Sequence, residues 1–189
     1  MGDAIVLLAG GSARRFPGKL EHPIDGRPMI LRVFERVRSC GHPVYVAGKG
    51  GFSPAVDAAL EAPLLVDRAV PEGPLSALLW ACTSIRADRI FALAADQPQL
   101  DGELLAQLRA AWRTGDEAVV PEHAGQLEPL AALYDRYALL REGSRLRRSG
   151  QNAMRDLIAR LATRRLPAAQ PYFVNVNRYE DVANATRTA

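Results

Sequence analysis

Apolar residues fall into short unbroken runs that alternate with longer stretches in which they recur every three or four positions. Residues 4–8 form an apolar run with no polar interruption, which is typical of a strand buried on both faces of a sheet. We therefore expect a sheet of buried strands. Beyond residues 4–8, the predicted strands lie at residues 44–46, 64–66, 90–94, 118–120 and 128–134.

The stretches between these runs have the spacing of helices. In one of them Leu104, Leu105 and Leu108 share one helix face. Strands that alternate with helices indicate an α/β fold, here a Rossmann-like three-layer α/β/α arrangement around a mostly parallel sheet. The 189 residues, 48% of them apolar, suit a single domain over residues 1–189. The predicted helices lie at residues 29–39, 75–85, 102–113, 138–146 and 152–161, with a last one from about residue 179.

The composition limits the cellular location and the kinds of metal site to be expected. No apolar stretch approaches the ~20 residues that a membrane-spanning helix requires, so we expect no membrane partner. Cys40 and Cys82 lie far apart, without a Cys-x-x-Cys pair or a His-rich neighbourhood. This pattern favours two buried, reduced thiols and a cytoplasmic location over a zinc site.

Positive charge is concentrated in the second half of the chain. The formal net charge is only +3, but residues 136–165 contain nine arginines against Glu142 and Asp156. This cationic segment predicts either a surface for an anionic ligand or a solvated helical face. It has few aromatic residues and no nucleic-acid-binding motif, so nucleic acid is not the expected partner.

A glycine-rich segment with basic residues follows the first predicted strand. Paired glycines let the backbone approach a ligand closely and turn its N–H groups toward phosphate oxygens. Arg15 and Lys19 add positive charge after the glycines. The segment therefore predicts a phosphate-binding loop. Its residues expected to face the ligand are Leu8, Ala9, Gly10, Gly11 and Ser12.

Three other motifs do not fit this loop. A Walker A loop would need Gly at position 13 and Ser or Thr at position 20, where the chain has Ala13 and Leu20. The adjacent glycines do not match the Gly-x-Gly-x-x-Gly of dinucleotide-binding folds. The final Gly of a hydrolase nucleophile elbow is also missing, so Ser12 is not a nucleophile.

An acid follows the predicted strand at residues 90–94. Asp96, at the carboxyl end of a buried strand, is well placed to bind Mg²⁺, which prefers carboxylate, water and phosphate oxygens. The alternative is that Asp96 caps the next helix, although Asp101 could do so instead. Asp67, which follows another strand, is either a turn residue or a contact to the ribose or base.

Four segments, in this order along the chain, resemble the molybdenum cofactor guanylyltransferases of the nucleotide-diphospho-sugar transferase-like group. The resemblance covers nearly the whole chain. It implies the fold of that group and binding of the base by Gly73, Pro74 and Leu75. The similar segments are residues 8–19 (nucleotide loop), 72–75 (base-contacting turn), 95–98 (nucleotide and Mg²⁺), and 128–134 with 173–177 and 180–181 (acceptor half).

The resemblance also implies a reaction, in which GMP is transferred from GTP to the phosphate of molybdopterin and pyrophosphate is released. GTP and molybdopterin, or the molybdenum cofactor, are then the expected partners, and cofactor-assembly proteins are further candidates. The implied catalytic residues are Arg15, Lys19, Asp96, Asn175 and Asn177, with Asp96 as the Mg²⁺ ligand.

The two asparagines lie two positions apart, so they project to the same side of an extended segment. One could complete the metal shell while the other orients the acceptor. The alternative is that Asn175 and Asn177 are turn-capping amides.

The base and the acceptor remain open at this stage. The pair Gly10–Gly11 favours GTP, because related cytidylyltransferases tend to carry a second Ala there. Ala77, however, stands where the family often has Gly beside the base pocket. The alternatives are a molybdopterin cytidylyltransferase, a nucleotidyltransferase for another small phosphorylated metabolite, and a non-catalytic nucleotide-binding protein of cofactor assembly.

Overall fold

The computed structural model describes residues 2–10, 16–48, 50–66, 73–168 and 172–182. The strands are β1 (Asp3–Leu8), β2 (Pro23–Ile24), β3 (Arg27–Pro28), β4 (Val44–Gly48), β5 (Leu64–Val66), β6 (Arg89–Ala94), β7 (Ala118–His123), β8 (Gln126–Leu127), β9 (Ala131–Asp135) and β10 (Thr163–Pro167). The helices are α1 (Met29–Arg38), α2 (Pro54–Ala59), α3 (Pro74–Ser84), α4 (Gly102–Ala111), α5 (Arg136–Arg148) and α6 (Met154–Ile158), with a 3-10 turn at Lys19–Glu21. None of the helices in these ranges is long and apolar enough to cross a membrane.

One mostly parallel sheet organises the described residues. Its strand order is β10-β7-β9-β6-β1-β4-β5, with β8 paired to β7 and with β2 and β3 forming a separate hairpin. β1 pairs in parallel with β4 and β6, whereas β9 runs antiparallel between β6 and β7. The carboxyl ends of β1, β4, β5, β6 and β7 therefore lie at one edge of the sheet, where β9 begins. Ligands of such sheets bind at this edge.

Both faces of the sheet are covered by helices. Along β1, Ala4, Val6 and Leu8 belong to a core shared with α3, α5 and α6, while Ile5 and Leu7 belong to a core shared with α1, α2 and α4. Successive side chains of a strand point to opposite faces, so an unbroken apolar run supplies both cores. The predicted three-layer α/β/α fold is confirmed.

Several element bounds differ from those predicted. β9 begins at Ala131 rather than at residue 128, because residues 128–131 form a turn in which the Ala131 N–H donates to the Glu128 carbonyl oxygen (3.2 Å). The helix expected over residues 152–161 is shortened to Met154–Ile158. β10 follows it as an unpredicted edge strand, since its largely exposed residues carry no apolar pattern. Residues 181 and 182 are helical, which agrees with a last helix as far as the description extends.

The two cysteines are free thiols in different surroundings. Cys82 is buried, and burial raises the pKa of its thiol to about 12. Cys40 is only half-buried, so the expectation of two buried thiols is wrong for this residue. It lies at the end of α1, where the helix gives way to a surface turn.

Candidate active site

Two segments that are far apart in the chain meet at the carboxyl edge of the sheet. Lys19 opens the 3-10 turn, and Asp96 stands just beyond β6. The Lys19 Nζ lies 2.5 Å from the Asp96 Oδ2, with side chains that are 16% and 23% exposed. The structure thus brings together the cation and the carboxylate that the sequence placed in one site.

The backbone around Asp96 is fixed on two sides. The Ala95 N–H donates to the Leu8 carbonyl oxygen (3.0 Å), so the chain beyond β6 continues beside the end of β1. The Asp96 carbonyl oxygen accepts a hydrogen bond from the Val176 N–H (3.0 Å). The carboxylate is therefore held between the start of the nucleotide loop and the segment that contains the two asparagines.

Asp96 does not cap the helix that follows it. The Asp101 side chain accepts hydrogen bonds from the backbone N–H groups of Glu103 (3.0 Å) and Leu104 (3.2 Å) and so caps α4. This arrangement removes helix capping as a role for Asp96. The residue does lie in the turn after β6, in which the Gln97 N–H donates to the Ala94 carbonyl oxygen (3.4 Å).

Asn177 joins the same group, and Asn175 does not. The Asn177 Oδ1 lies 3.4 Å from the Lys19 Nζ, whereas Asn175 is exposed and makes no hydrogen bond to Lys19 or Asp96 in the described structure. Val176 is fully buried between them, which confirms the predicted alternation. The turn after them is capped by Asp181, whose carboxylate accepts the Asn177 and Arg178 N–H groups at 2.8 Å.

The oxygens around Lys19 indicate which metal could bind here. The Asp96 Oδ2, the Asn177 Oδ1 and the Val176 carbonyl oxygen all lie within 3.5 Å of its single positive charge. Within the described ranges, no group of three His, Cys, Asp or Glu side chains could hold an ion. One carboxylate with an amide oxygen does not form a closed cage, but it fits Mg²⁺ that binds with water and substrate phosphates.

On the nucleotide side, β1 leads directly into the loop. The Ala9 N–H donates to the Ala47 carbonyl oxygen (2.8 Å) at the end of β4, and Gly10 is exposed. The Leu8 side chain is buried in the core, so only its backbone could contact a ligand. The predicted site residues Gly11, Ser12, Arg15 and Asp67 lie outside the described residues.

The predicted base-contacting turn forms the start of α3. Gly73 precedes the helix with φ 97° and ψ 179°, a conformation that is essentially restricted to glycine. Pro74 occupies the first helical position, where its missing N–H costs no hydrogen bond. Leu75 is fully buried, so its side chain belongs to the core and only its backbone can face a ligand. The free N–H groups of this helix start lie at the ligand edge.

Gly48 is a residue of this site that the sequence analysis missed. It ends β4 beside the loop, and a Cβ at this position would lie 2.9 Å from the Ala9 carbonyl oxygen. The contact is to backbone, which cannot move aside as a flexible side chain would. The sequence signal was a strand that ends in glycine, but the contact partner depends on the pairing of β1 with β4.

We expect Gly48→Ala to lower the free energy of unfolding by about 1–3 kcal/mol, because the added methyl group is overpacked against Ala9. Urea denaturation measures this change. Gly2→Ala is the matched control, since a Cβ there meets no atom within 4 Å. Equal stability of the two variants would contradict the proposed close approach.

The arginine-rich segment is partly neutralised by acids from other elements. Five of its nine arginines form ion pairs within the described residues, and Asp116, Glu117 and Glu122 are among the partners. Arg147 and Arg148, at the end of α5, have no acidic partner in the described part of the chain. Arg136 and Arg160 donate instead to the Cys82 carbonyl oxygen and the Gln151 side chain. Within the described residues, the segment is therefore a largely partnered surface rather than a uniform cationic face.

Two cavities lie elsewhere on the surface. One, of about 660 Å³, lies between the end of α1 and α4 beside Cys40 and Arg109. The other, of about 470 Å³, lies between α3 and α5 beside Trp80 and Arg147. Neither includes a predicted site residue in its walls, so the candidate site is defined by converging side chains.

Comparisons with known proteins find a matching family and several relatives. The model of the MobA-like NTP transferase domain matches residues 5–185. The chain is 34% identical over 187 residues to the probable molybdenum cofactor guanylyltransferase of Opitutus terrae, covering 93% of this chain and 90% of that protein. It is 30% identical over 197 residues to the molybdenum cofactor guanylyltransferase of Desulfosudis oleivorans, covering 97% and 95%.

One solved structure extends the comparison to the fold. Molybdopterin-guanine dinucleotide biosynthesis protein A of Archaeoglobus fulgidus superposes with a TM-score of 0.81 at 22% identity, over 98% of this chain and 97% of that chain. At this identity the likeness shows a shared fold. It agrees with the layer order and sheet described above.

Proposed function

The chain belongs to the MobA-like NTP transferase family, and we propose that this nucleotidyltransferase transfers GMP from GTP to the terminal phosphate of molybdopterin. The products are the guanine dinucleotide cofactor and pyrophosphate. The observation that carries the proposal is the meeting of Lys19, Asp96 and Asn177 between the nucleotide loop and the acceptor half. The names of the two guanylyltransferase relatives support the choice of substrates.

The reaction needs alignment and charge stabilisation more than covalent chemistry by the protein. An oxygen of the acceptor phosphate attacks the α-phosphorus of GTP, a new P–O bond forms, and the bond to the β-phosphate oxygen breaks. The electron pair leaves with pyrophosphate. A phosphate monoester with a second pKa of about 6 is mostly ionised at neutral pH, so no general base is required.

Lys19 and the loop stabilise the triphosphate. In the free protein the Lys19 ammonium contacts Asp96 (2.5 Å). When GTP binds, Lys19 turns to the phosphates together with Arg15, and the backbone of Gly10, Gly11 and Ser12 orients them. Bound Mg²⁺ supplies charge neutralisation on the departing pyrophosphate.

The remaining side chains orient the two substrates. Asp96 would hold Mg²⁺, and the Asn177 Oδ1, which lies 3.4 Å from the same Lys19 Nζ, would share that role. Asn175 is exposed on the same side of the segment and contacts the acceptor. Gly73 and Asp67 contact the base and ribose on the nucleotide side. The cytoplasmic location and the cofactor-assembly partners remain predictions from the sequence.

A screen of pyrophosphate release tests the proposed substrates. With reduced molybdopterin and Mg²⁺, we expect turnover with GTP to exceed that with CTP, ATP and UTP by tenfold or more, about 1.4 kcal/mol in the transition state. Dominant turnover with CTP would instead identify a cytidylyltransferase. Binding of GTP without pyrophosphate release would identify a non-catalytic nucleotide-binding protein.

A further inference from the structure

A second group of side chains lies across Asp96 from the nucleotide loop. His123 ends β7, Glu128 precedes β9, and Phe173 lies in the segment that leads to the asparagines. Gln97 follows Asp96 directly. In the sheet, β9 and β7 lie on one side of β6, and β1 lies on the other. Asp96, just beyond β6, therefore separates the nucleotide loop from this second group. We call the group the acceptor-side cluster; it consists of Gln97, His123, Glu128 and Phe173.

The backbone around Glu128 is held in a fixed position. Its backbone N–H donates to the Pro121 carbonyl oxygen (2.9 Å) on β7. The adjacent Pro129 carbonyl oxygen accepts a hydrogen bond from the buried Tyr134 hydroxyl (2.8 Å). The Gln97 side chain lies beside the Glu128 carboxylate and acts to lower the pKa of that carboxyl. The backbone around Glu128 is therefore positioned before any ligand arrives.

Gln97 has an unused hydrogen-bond acceptor beside the partly buried Glu128 carboxylate. Burial raises the pKa of Glu128, while nearby His123 and the Gln97 hydrogen bond oppose that rise. Among the described residues, no Lys or Arg forms an ion pair with the Glu128 carboxylate. Gln97 is 2% exposed, and its Oε1 has no hydrogen-bond partner. A buried acceptor without a donor is unfavourable, and a ligand could supply that donor to Gln97.

Two packed rings adjoin these residues, the buried Phe173 (8% exposed) and the half-buried His123. The rings of His123 and Phe173 lie with centroids 5.6 Å apart and planes inclined by 31°. The His123 Nδ1 is 3.4 Å from the Ala168 carbonyl oxygen, which restrains the imidazole. Phe173 supports the His123 ring from the core, and a planar heterocycle can stack against the half-buried His123 ring while its polar edge binds elsewhere.

The hydrogen-bonding groups of the cluster match a ligand edge that carries adjacent N–H donors. A carboxylate offers two oxygens that match two parallel N–H donors. A 2-amino-4-oxopyrimidine ring presents such a pair, a ring N–H beside an amino group. Pterins and guanine both contain this edge. The nucleotide loop and the start of α3 lie toward β1, β4 and β5, so the guanine of GTP is expected on the other side of Asp96.

We propose that Glu128 and Gln97 bind the 2-amino-4-oxopyrimidine edge of the acceptor's pterin ring, with His123 as the adjoining ring surface. This inference rests on the proposed function, because it requires a pterin acceptor. It assigns acceptor recognition to the strands beyond β6.

The Glu128→Gln variant tests this assignment, because it keeps the side-chain size and replaces an acceptor oxygen with a donor. We expect the KM for molybdopterin to rise about tenfold or more, with the KM for GTP nearly unchanged. Pterin fluorescence gives a second measurement without turnover. Wild-type protein should bind 6-hydroxymethylpterin more tightly than lumazine, which lacks the 2-amino group, and Glu128→Gln should lose that preference.

Glu122→Gln is the matched control, since Glu122 is a carboxylate of the same hairpin that is 3.6 Å from Arg165. It should keep the preference for pterin. If Glu128→Gln weakens GTP binding and leaves pterin binding intact, the edge belongs to guanine and the proposal is wrong. Unchanged binding of both ligands in a folded variant also overturns it. The nucleotide screen tests the proposed function separately, because it does not depend on the pterin-to-lumazine comparison.

Discussion

The Asp96→Asn variant is expected to lose nucleotidyl transfer by about 10²- to 10³-fold, the typical cost of removing one group that stabilises transition-state charge. The substitution keeps the shape of the side chain and removes the negative charge that would hold Mg²⁺. The fold should persist, because Asp101 rather than Asp96 caps α4. Pyrophosphate release at saturating GTP and molybdopterin measures the loss, with circular dichroism to check the fold.

Asp57→Asn is the control for this prediction. Asp57 is an exposed carboxylate in the first turn of α2 and contacts none of the site residues described here. It should retain wild-type turnover. Near-normal turnover of Asp96→Asn with Mg²⁺ would show that the metal assignment is wrong.

The Lys19→Ala variant is expected to show a comparable loss, about 10²- to 10³-fold in kcat/KM, because the triphosphate loses a positive charge in a partly buried site. Its affinity for GTP should also fall. The variant leaves the Asp96 carboxylate without its 2.5 Å partner in the free protein. Titration of GTP by calorimetry and measurement of pyrophosphate release separate the binding and catalytic effects.

Arg27→Ala is a suitable control for the removal of a cation. Arg27 is exposed, and its ion pair with Glu35 lies on the surface. Surface pairs of this kind contribute little to stability, so its turnover and GTP affinity should match those of the wild type. If Lys19→Ala behaved like Arg27→Ala, Lys19 would have no part in triphosphate binding.

The parts of the fold that the sequence predicted are those with a local signal. The apolar run of β1 requires burial on both faces, and the acid after β6 has to lie at the ligand edge of a parallel sheet. These two features place Lys19 and Asp96 in one site once β6 is paired with β1. By contrast, β10 has an exposed, charged sequence that forms a strand only because β7 offers a free edge.

The remaining site features depend on contacts between distant elements. Gly48 is constrained by Ala9 on the neighbouring strand, which no local pattern reveals. The arginine-rich segment appeared strongly cationic because its partners Asp116, Glu117 and Glu122 precede it on and beside β7. The difference between Asn177 and Asn175 likewise depends on where Lys19 lies. The two-residue spacing predicted that both asparagine side chains lie on the same side of the segment. Only the tertiary structure shows that Asn177, and not Asn175, contacts Lys19.

The most direct test of the account is a crystal structure with a non-hydrolysable GTP analogue and Mn²⁺ in place of Mg²⁺. We predict an anomalous peak about 2.0–2.2 Å from an Asp96 carboxylate oxygen and from triphosphate oxygens, with the Lys19 Nζ against the same phosphates. A triphosphate bound away from Lys19, or a metal peak that does not contact Asp96, would contradict it.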